Sequence, residues 1–287
     1  MKRTQPTNKN PQLQAKILDH LQTLGVPMSD EQLDGALREA EQGSWSHLEL
    51  LDRLLQEQAE QRRQRAIERR IRQAKFDEIR TLEAFDWKFN AQAIDRVQFE
   101  ELATGDFIRR RDNLVMVGQS GIGKTHLLKG ISLKACALGY RVRYVASDKL
   151  LTDLVSSLAD DTTPRRIGHY ARVDLLVIDG FGFDKLQREA TPQALSLLYK
   201  LIDQRNGRRS TALISNIDLK AWTEYLGDPP MVMALLDRLV DQAILIRINN
   251  AKSYRAHRGK QATANARRAS NKSAPSKASS KASSKAK

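Results

Sequence analysis

Eight residues constrain this chain more than any others: Gly118-Gln119-Ser120-Gly121-Ile122-Gly123-Lys124-Thr125. They fit G-x-x-x-x-G-K-[ST], a loop whose glycines let the backbone turn tightly and approach an anion. An apolar run, Asn113-Leu114-Val115-Met116-Val117, precedes the loop, and a helical pattern follows it. A strand feeding a phosphate-wrapping loop and then a helix commits the surrounding chain to an α/β core. The helix that starts near Lys124 adds its positive end to the loop's N–H groups. Lys124 is placed to reach the β- and γ-phosphates of a nucleotide, and the Thr125 hydroxyl to hold Mg²⁺. The cofactors expected are therefore a nucleotide and Mg²⁺, with Gly118 through Thr125 and the adjoining His126 as the binding segment.

Four more runs rich in Val, Ile and Leu read as strands: Arg141–Val145, Asp174–Ile178, Thr211–Ser215 and Ala243–Ile248. They are apolar without alternation, as strands covered on both faces of a parallel sheet are. Helical patterns such as His126–Leu138 and Pro192–Gln204 intervene. The fold class is a doubly wound α/β core, with the ligand at the carboxyl ends of the strands.

Several polar residues end these runs. Asp179 closes Asp174-Leu175-Leu176-Val177-Ile178 and is placed to face the Mg²⁺ shell. The next position, where hydrolysing enzymes of this type commonly carry an acid that orients water, is Gly180. Either Asp184 or another carboxylate substitutes, or hydrolysis is slow and the nucleotide serves as an assembly switch. Asn216 follows Leu213-Ile214-Ser215 and can hydrogen-bond the attacking water or the γ-phosphate. A plain turn residue before Asp218 is the alternative. Arg238 is a single arginine in the apolar helix Leu235–Val240. Either it is a finger inserted into a neighbouring subunit's site, or it pairs locally with Asp237 or Asp241. Arg255, after the last strand, can reach the phosphates of its own subunit.

The net charge of +14 favours a polyanionic partner. Residues 12 to about 75 read as three helices, with Ser29 capping the second and the third beginning near Ser46. The third turns basic: Arg62, Arg63, Arg65, Arg69, Arg70, Arg72 and Lys75 are opposed within the stretch by Glu68. This is read as a helix lying along a DNA backbone, with a solvated charged face as the alternative. Residues 259–287 carry eight basic residues and no acid among Ser, Ala and Lys repeats. That composition is expected to be a disordered tail, either a solubilising appendage or a non-specific DNA-binding arm. No apolar run is long enough to span a membrane. The one cysteine, Cys136, sits in an Ala/Leu-rich stretch, reads as a small buried apolar residue, and suits a reducing cytoplasm.

Taken in order, these motifs resemble the AAA+ ATPase class, and within it the IstB-type helper ATPases of insertion-sequence transposition, kin of DnaC-like helicase loaders. The resemblance covers about residues 12 to 258. It also rests on Ala103-Thr104-Gly105-Asp106-Phe107-Ile108, Gly207-Arg208-Arg209-Ser210-Thr211, Tyr225-Leu226-Gly227-Asp228-Pro229-Pro230, and the stretch from Leu236-Asp237-Arg238-Leu239-Val240 to Ser253-Tyr254-Arg255. It implies a helical DNA- or partner-binding domain at 1–75, an AAA+ ATPase domain with a parallel sheet flanked by helices at 76–258, and the tail beyond. It implies ATPase activity, ATP-driven self-assembly on duplex DNA and recruitment of a transposase, or alternatively of a replicative helicase. The roles implied are Lys124 and Thr125 for phosphate and Mg²⁺, Asp179 for the metal, Asn216 as sensor, Arg238 as trans finger and Arg255 as second sensor. Gly180 and the basic tail depart from the family pattern. A phosphate-transferring kinase could use the same loop, but no acceptor-base motif is present.

Overall fold

Side-chain caps start the first helices. In the computed structural model, which describes residues 10–182 and 191–257, Asn10 caps α1 (Pro11–Thr23). Ser29 caps α2 (Asp30–Gly43) through a reciprocal bond with Gln32. Ser46 and Glu49 exchange the same pair of bonds at the start of α3 (His47–Ala74). The packing divides the chain into two units, residues 1–69 and 70–287.

The first unit has little core. Leu33 is buried, but Leu13, Leu24, Leu48 and Leu51 are more than half exposed. The leucine periodicity thus does produce helices here without enclosing their apolar faces, because a unit this small has too much surface for its volume. Polar links join its helices instead. Gln14 donates to Asp34 at 3.1 Å, and Arg53 lies 3.6 Å from Glu39.

In the second unit the short helices α4 (Arg96–Leu102) and α5 (Asp106–Arg110) lead into β1 (Asn113–Gly118). Then come α6 (Lys124–Ala137), β2 (Val142–Ala146), α7 (Ser147–Ser156), α8 (Thr163–Ala171), β3 (Leu175–Phe181), α9 (Thr191–Arg205), β4 (Ser210–Ser215), α10 (Trp222–Leu226), α11 (Pro229–Val240) and β5 (Ala243–Ile248). The five strands are all parallel, in the order β2-β3-β4-β1-β5. Alternate residues go to opposite faces. Leu114, Met116, Leu175, Val177, Ala212 and Ile214 pack with Leu127, Leu128 and Ile131 of α6. Val115, Val117, Leu176, Ile178 and Leu213 pack against Leu150, Leu198, Leu201 and Leu235 on the other side. Cys136 is fully buried on the α6 side, and burial pushes its thiol up to about 11.

Every strand runs the same way, so all carboxyl ends meet at one edge of the sheet. That edge holds the loop after β1, Asp179 of β3 and Asn216 after β4. The opposite edge is tied together by Arg205, which is 1% exposed. Its guanidinium donates to the carbonyls of Tyr170, Ala171, Val173 and Ser210 and to the Thr211 hydroxyl. Burial, then the nearby Arg209, pulls its pKa down to about 9, so it keeps its charge at neutral pH.

Candidate nucleotide site

The loop from Gly118 to Thr125 leaves β1 and becomes α6. Gly123 caps α6 at φ +105 with no side-chain hydrogen bond, so the amides of the first turn are left for a ligand. A Cβ on Gly123 would stand 2.7 Å from the Phe85 ring, which adds a packing reason for glycine to the conformational one. Around the loop lies a cavity of about 820 Å³ whose lining includes Lys124, Thr125, His126, Asp148, Asp179, Gly180, Asn216 and Arg255.

Lys124 is 4% exposed. Its amine donates to the carbonyls of Gly118 at 2.6 Å and Gln119 at 2.7 Å, and to Asn216 Oδ1 at 2.9 Å. Burial lowers its pKa to about 8, with the Asp179 charge working against that shift and Arg255 adding to it. The Thr125 hydroxyl donates to Asp179 Oδ1 at 3.0 Å. The fold therefore brings Lys124, Thr125, Asp179 and Asn216 into one cluster. Asn216 lies in the bend after β4, and its amide oxygen meets the lysine there.

Arg255 lines the same cavity from the segment after β5. Two links hold that segment in place. Tyr254 N–H donates to the Gly121 carbonyl at 2.9 Å, and Asn90 exchanges bonds with the Lys252 backbone at 3.0 and 2.9 Å. Gly180 sits in a bulge of β3, where the register against β4 shifts between Ile178 and Phe181. Its φ of +83 is a conformation that costs any other side chain strain. The glycine at the position where an acid was expected thus has a local backbone reason. Asp184, the other carboxylate considered, lies outside the described residues, as does the tail 259–287.

Arg238 does not line this cavity. It is 38% exposed near the end of α11, not buried in it, and pairs with Asp203 and Asp237, both at 2.9 Å. Asp237 was one of the two local partners considered. Asp203 of α9 comes close only through the packing of α9 on α11. Arg62, Arg63, Arg65, Arg69, Arg72 and Lys75 are exposed, and Arg70 is half-buried. Arg63 also meets Glu60 at 2.9 Å, an acid just upstream of the basic stretch.

The sequence reading missed the wall formed by residues 78–90. Phe85, Phe89 and Asn90 line the cavity. Phe85 meets the His126 ring edge-on at 5.2 Å, and Phe89 meets Tyr254 at 5.0 Å. A signal existed: Phe76, Phe85, Phe89 and Phe99, four of the chain's seven phenylalanines, crowd just before the first core strand.

A five-stranded parallel sheet in this order, with a phosphate loop between β1 and α6 and an acid near the carboxyl end of β3, is an AAA+ P-loop NTPase fold. The family model for "IstB-like ATP binding protein" matches residues 20–262. The chain belongs to that family. It is 31% identical over 230 residues to the insertion sequence IS21 ATP-binding protein of Pseudomonas aeruginosa, covering 80% of this chain and 84% of that one. It is 32% identical over 243 residues to insertion sequence ATP-binding protein y4pL of Sinorhizobium fredii, covering 85% and 97%. Among solved structures, AMPPCP-bound DnaA from Aquifex aeolicus is similar with a TM-score of 0.46 and 21% identity, over 67% of this chain and 56% of that one. The DnaI crystal structure is similar with a TM-score of 0.45 and 20% identity, over 59% and 91%. Among the described residues no helix is long and apolar enough to cross a membrane.

Proposed function

We propose that this protein is an ATP-dependent, DNA-binding transposition helper. It assembles with copies of itself on duplex DNA and recruits or activates a transposase at the target site. The observation that carries this reading is the buried Lys124 amine bonded to Asn216, beside the Thr125–Asp179 pair, in a chain of an insertion-sequence ATP-binding family. Residues 76–258 act as the ATPase domain. Residues 1–75 act as the DNA- and partner-binding domain, working in the cytoplasm where both ligands are found.

Lys124 and the uncapped N–H groups of α6 hold the phosphates, and Asn216 and Arg255 report on the terminal one. Thr125 and Asp179 supply adjacent hard oxygens, the donor set that Mg²⁺ takes, and would hold it. When bound, that ion neutralises charge on the phosphate oxygens. Gly180 offers no carboxylate to orient water, so turnover is slow and the triphosphate acts chiefly as an assembly signal.

Arg238 completes the site of the next subunit. It exchanges its exposed pairs with Asp203 and Asp237 for a phosphate charge. Exposed ion pairs of this kind are worth about 1 kcal/mol or less, so they do not hold it back. In Arg238→Ala, ATP-dependent assembly on DNA falls at least tenfold, while ATP binding by the monomer is unchanged. Sedimentation with duplex DNA and ATP, ADP or no nucleotide measures both. A protein that stays monomeric under all three conditions would overturn the proposal.

The basic end of α3 tracks the DNA backbone. Reversing Arg69, Arg70 and Arg72 to Glu removes DNA binding at moderate salt. Replacing them with Ala shallows the slope of log affinity against log salt by about 2 to 3, one for each lost phosphate contact. Fluorescence anisotropy across a salt series checks this, and an unchanged slope would make the stretch a solvated face.

A further inference from the structure

Behind the Thr125–Asp179 pair stands a second layer that the nucleotide reading does not use. Tyr144 lies on β2, and its neighbour two residues on, Ala146, is paired in register with Asp179. Residues two apart along a strand share a face. Tyr144 and Asp179 therefore point to the same side of the sheet, toward α6. There the Tyr144 hydroxyl donates to Asp179 Oδ2. The other carboxylate oxygen, Oδ1, accepts from Thr125 at 3.0 Å. The two oxygens thus have separate duties.

The phenol ring is itself held on two sides. Lys129, 3% exposed and one helical turn beyond Thr125, places its amine 5.0 Å from the ring centroid. That amine also pairs with Asp77 at 2.6 Å. Phe76 packs against the ring at 5.7 Å.

We propose that Tyr144 is a positioning residue for Asp179: its hydroxyl pins one carboxylate oxygen and so presents the other to Thr125 and the Mg²⁺ shell. The inference rests on the nucleotide reading of this pocket. A partner bonded to a metal-binding carboxylate fixes its orientation, and losing such a partner commonly costs 10- to 100-fold in metal affinity. Tyr144→Phe removes the hydroxyl and keeps the ring between Lys129 and Phe76.

The test is binding of a fluorescent, non-hydrolysable ATP analogue by the full chain, titrated with Mg²⁺ and repeated in EDTA. In Tyr144→Phe the Mg²⁺ concentration for half-maximal enhancement rises about tenfold, while affinity in EDTA stays within about twofold of wild type. In an Asp179→Asn background the same change adds nothing, because the carboxylate it orients is gone. A merely structural tyrosine would lower both affinities together and would add to Asp179→Asn. That pattern, or an unmoved Mg²⁺ midpoint, overturns the inference. Failure of the underlying reading looks different: Lys124→Ala would then leave analogue binding in EDTA untouched.

Discussion

Lys124→Ala abolishes useful ATP binding, with affinity falling by about 100- to 1,000-fold. The buried amine makes three hydrogen bonds at the phosphate loop, to the Gly118 and Gln119 carbonyls and to Asn216. Hydrogen bonds to charged groups contribute about 1.5–3 kcal/mol each, and two such bonds to phosphate oxygens, taken at the lower end at about 1.5–2 kcal/mol each, amount to about 3–4 kcal/mol. Each 1.4 kcal/mol is a factor of about ten in affinity. The fold should survive, since alanine suits a helix start and no buried acid loses its only partner: Asp179 keeps Thr125 and Tyr144. Isothermal titration with ATP, alongside a melting curve, separates the two effects. Unchanged affinity would mean that the loop does not hold phosphate.

Arg205→Met has the opposite profile: a large loss of stability and little change in ATP affinity per folded molecule. The guanidinium satisfies four carbonyls, and the Thr211 hydroxyl, at the amino-terminal edge of the sheet. Methionine fills much of the volume but donates nothing. The carbonyls of Tyr170, Ala171, Val173 and Ser210 then lose this donor at a largely buried site. An unsatisfied buried acceptor costs about 1–3 kcal/mol. After relaxation we expect a net loss of about 4 kcal/mol, within the range for breaking a buried charged network. Urea unfolding should show a lower midpoint at unchanged slope. Arg205→Lys rescues little, because one ammonium cannot reproduce a planar fork with five donors. A shift below about 1 kcal/mol would show that water replaces the guanidinium freely.

The two changes differ because the residues occupy opposite ends of the same strands. Residue type and place in a helix do not distinguish them: Lys124 and Arg205 are both basic residues at a helix terminus. The phosphate-loop motif singles out Lys124. Arg205 has no comparable pattern, since its partners come from the end of α8, the turn before β3 and the start of β4, up to 35 residues away.

The strand runs were legible because parallel strands covered on both faces must be continuously apolar, and this requirement shows in one dimension. Ala243–Ile248 has the same bounds in the structure. The run beginning at Arg141 starts one residue later, at Val142. The third run extends to Phe181, because a bulge at Asp179–Gly180 carries pairing past the acid. Bulges leave little trace in composition, so the position of Gly180 in the strand was hidden even though its identity drew notice. The Ser29 cap was legible for a similarly local reason, a polar side chain within three residues of the amide it serves, and the start of the third helix near Ser46 was legible with it.

The amino-acid sequence by itself determined the elements whose causes are local: the phosphate loop with its glycines, the apolar strands, the helix caps and the basic stretch of α3. Only the tertiary structure decided which distant groups meet. It set Asn216 against Lys124, Tyr144 and Thr125 on the two oxygens of Asp179, Phe85 beside the loop, and Asp203 beside Arg238. The physical reason is that strand order and register are collective properties. They follow from burying both faces of one sheet at once, and that packing places side chains remote in the chain within hydrogen-bonding distance.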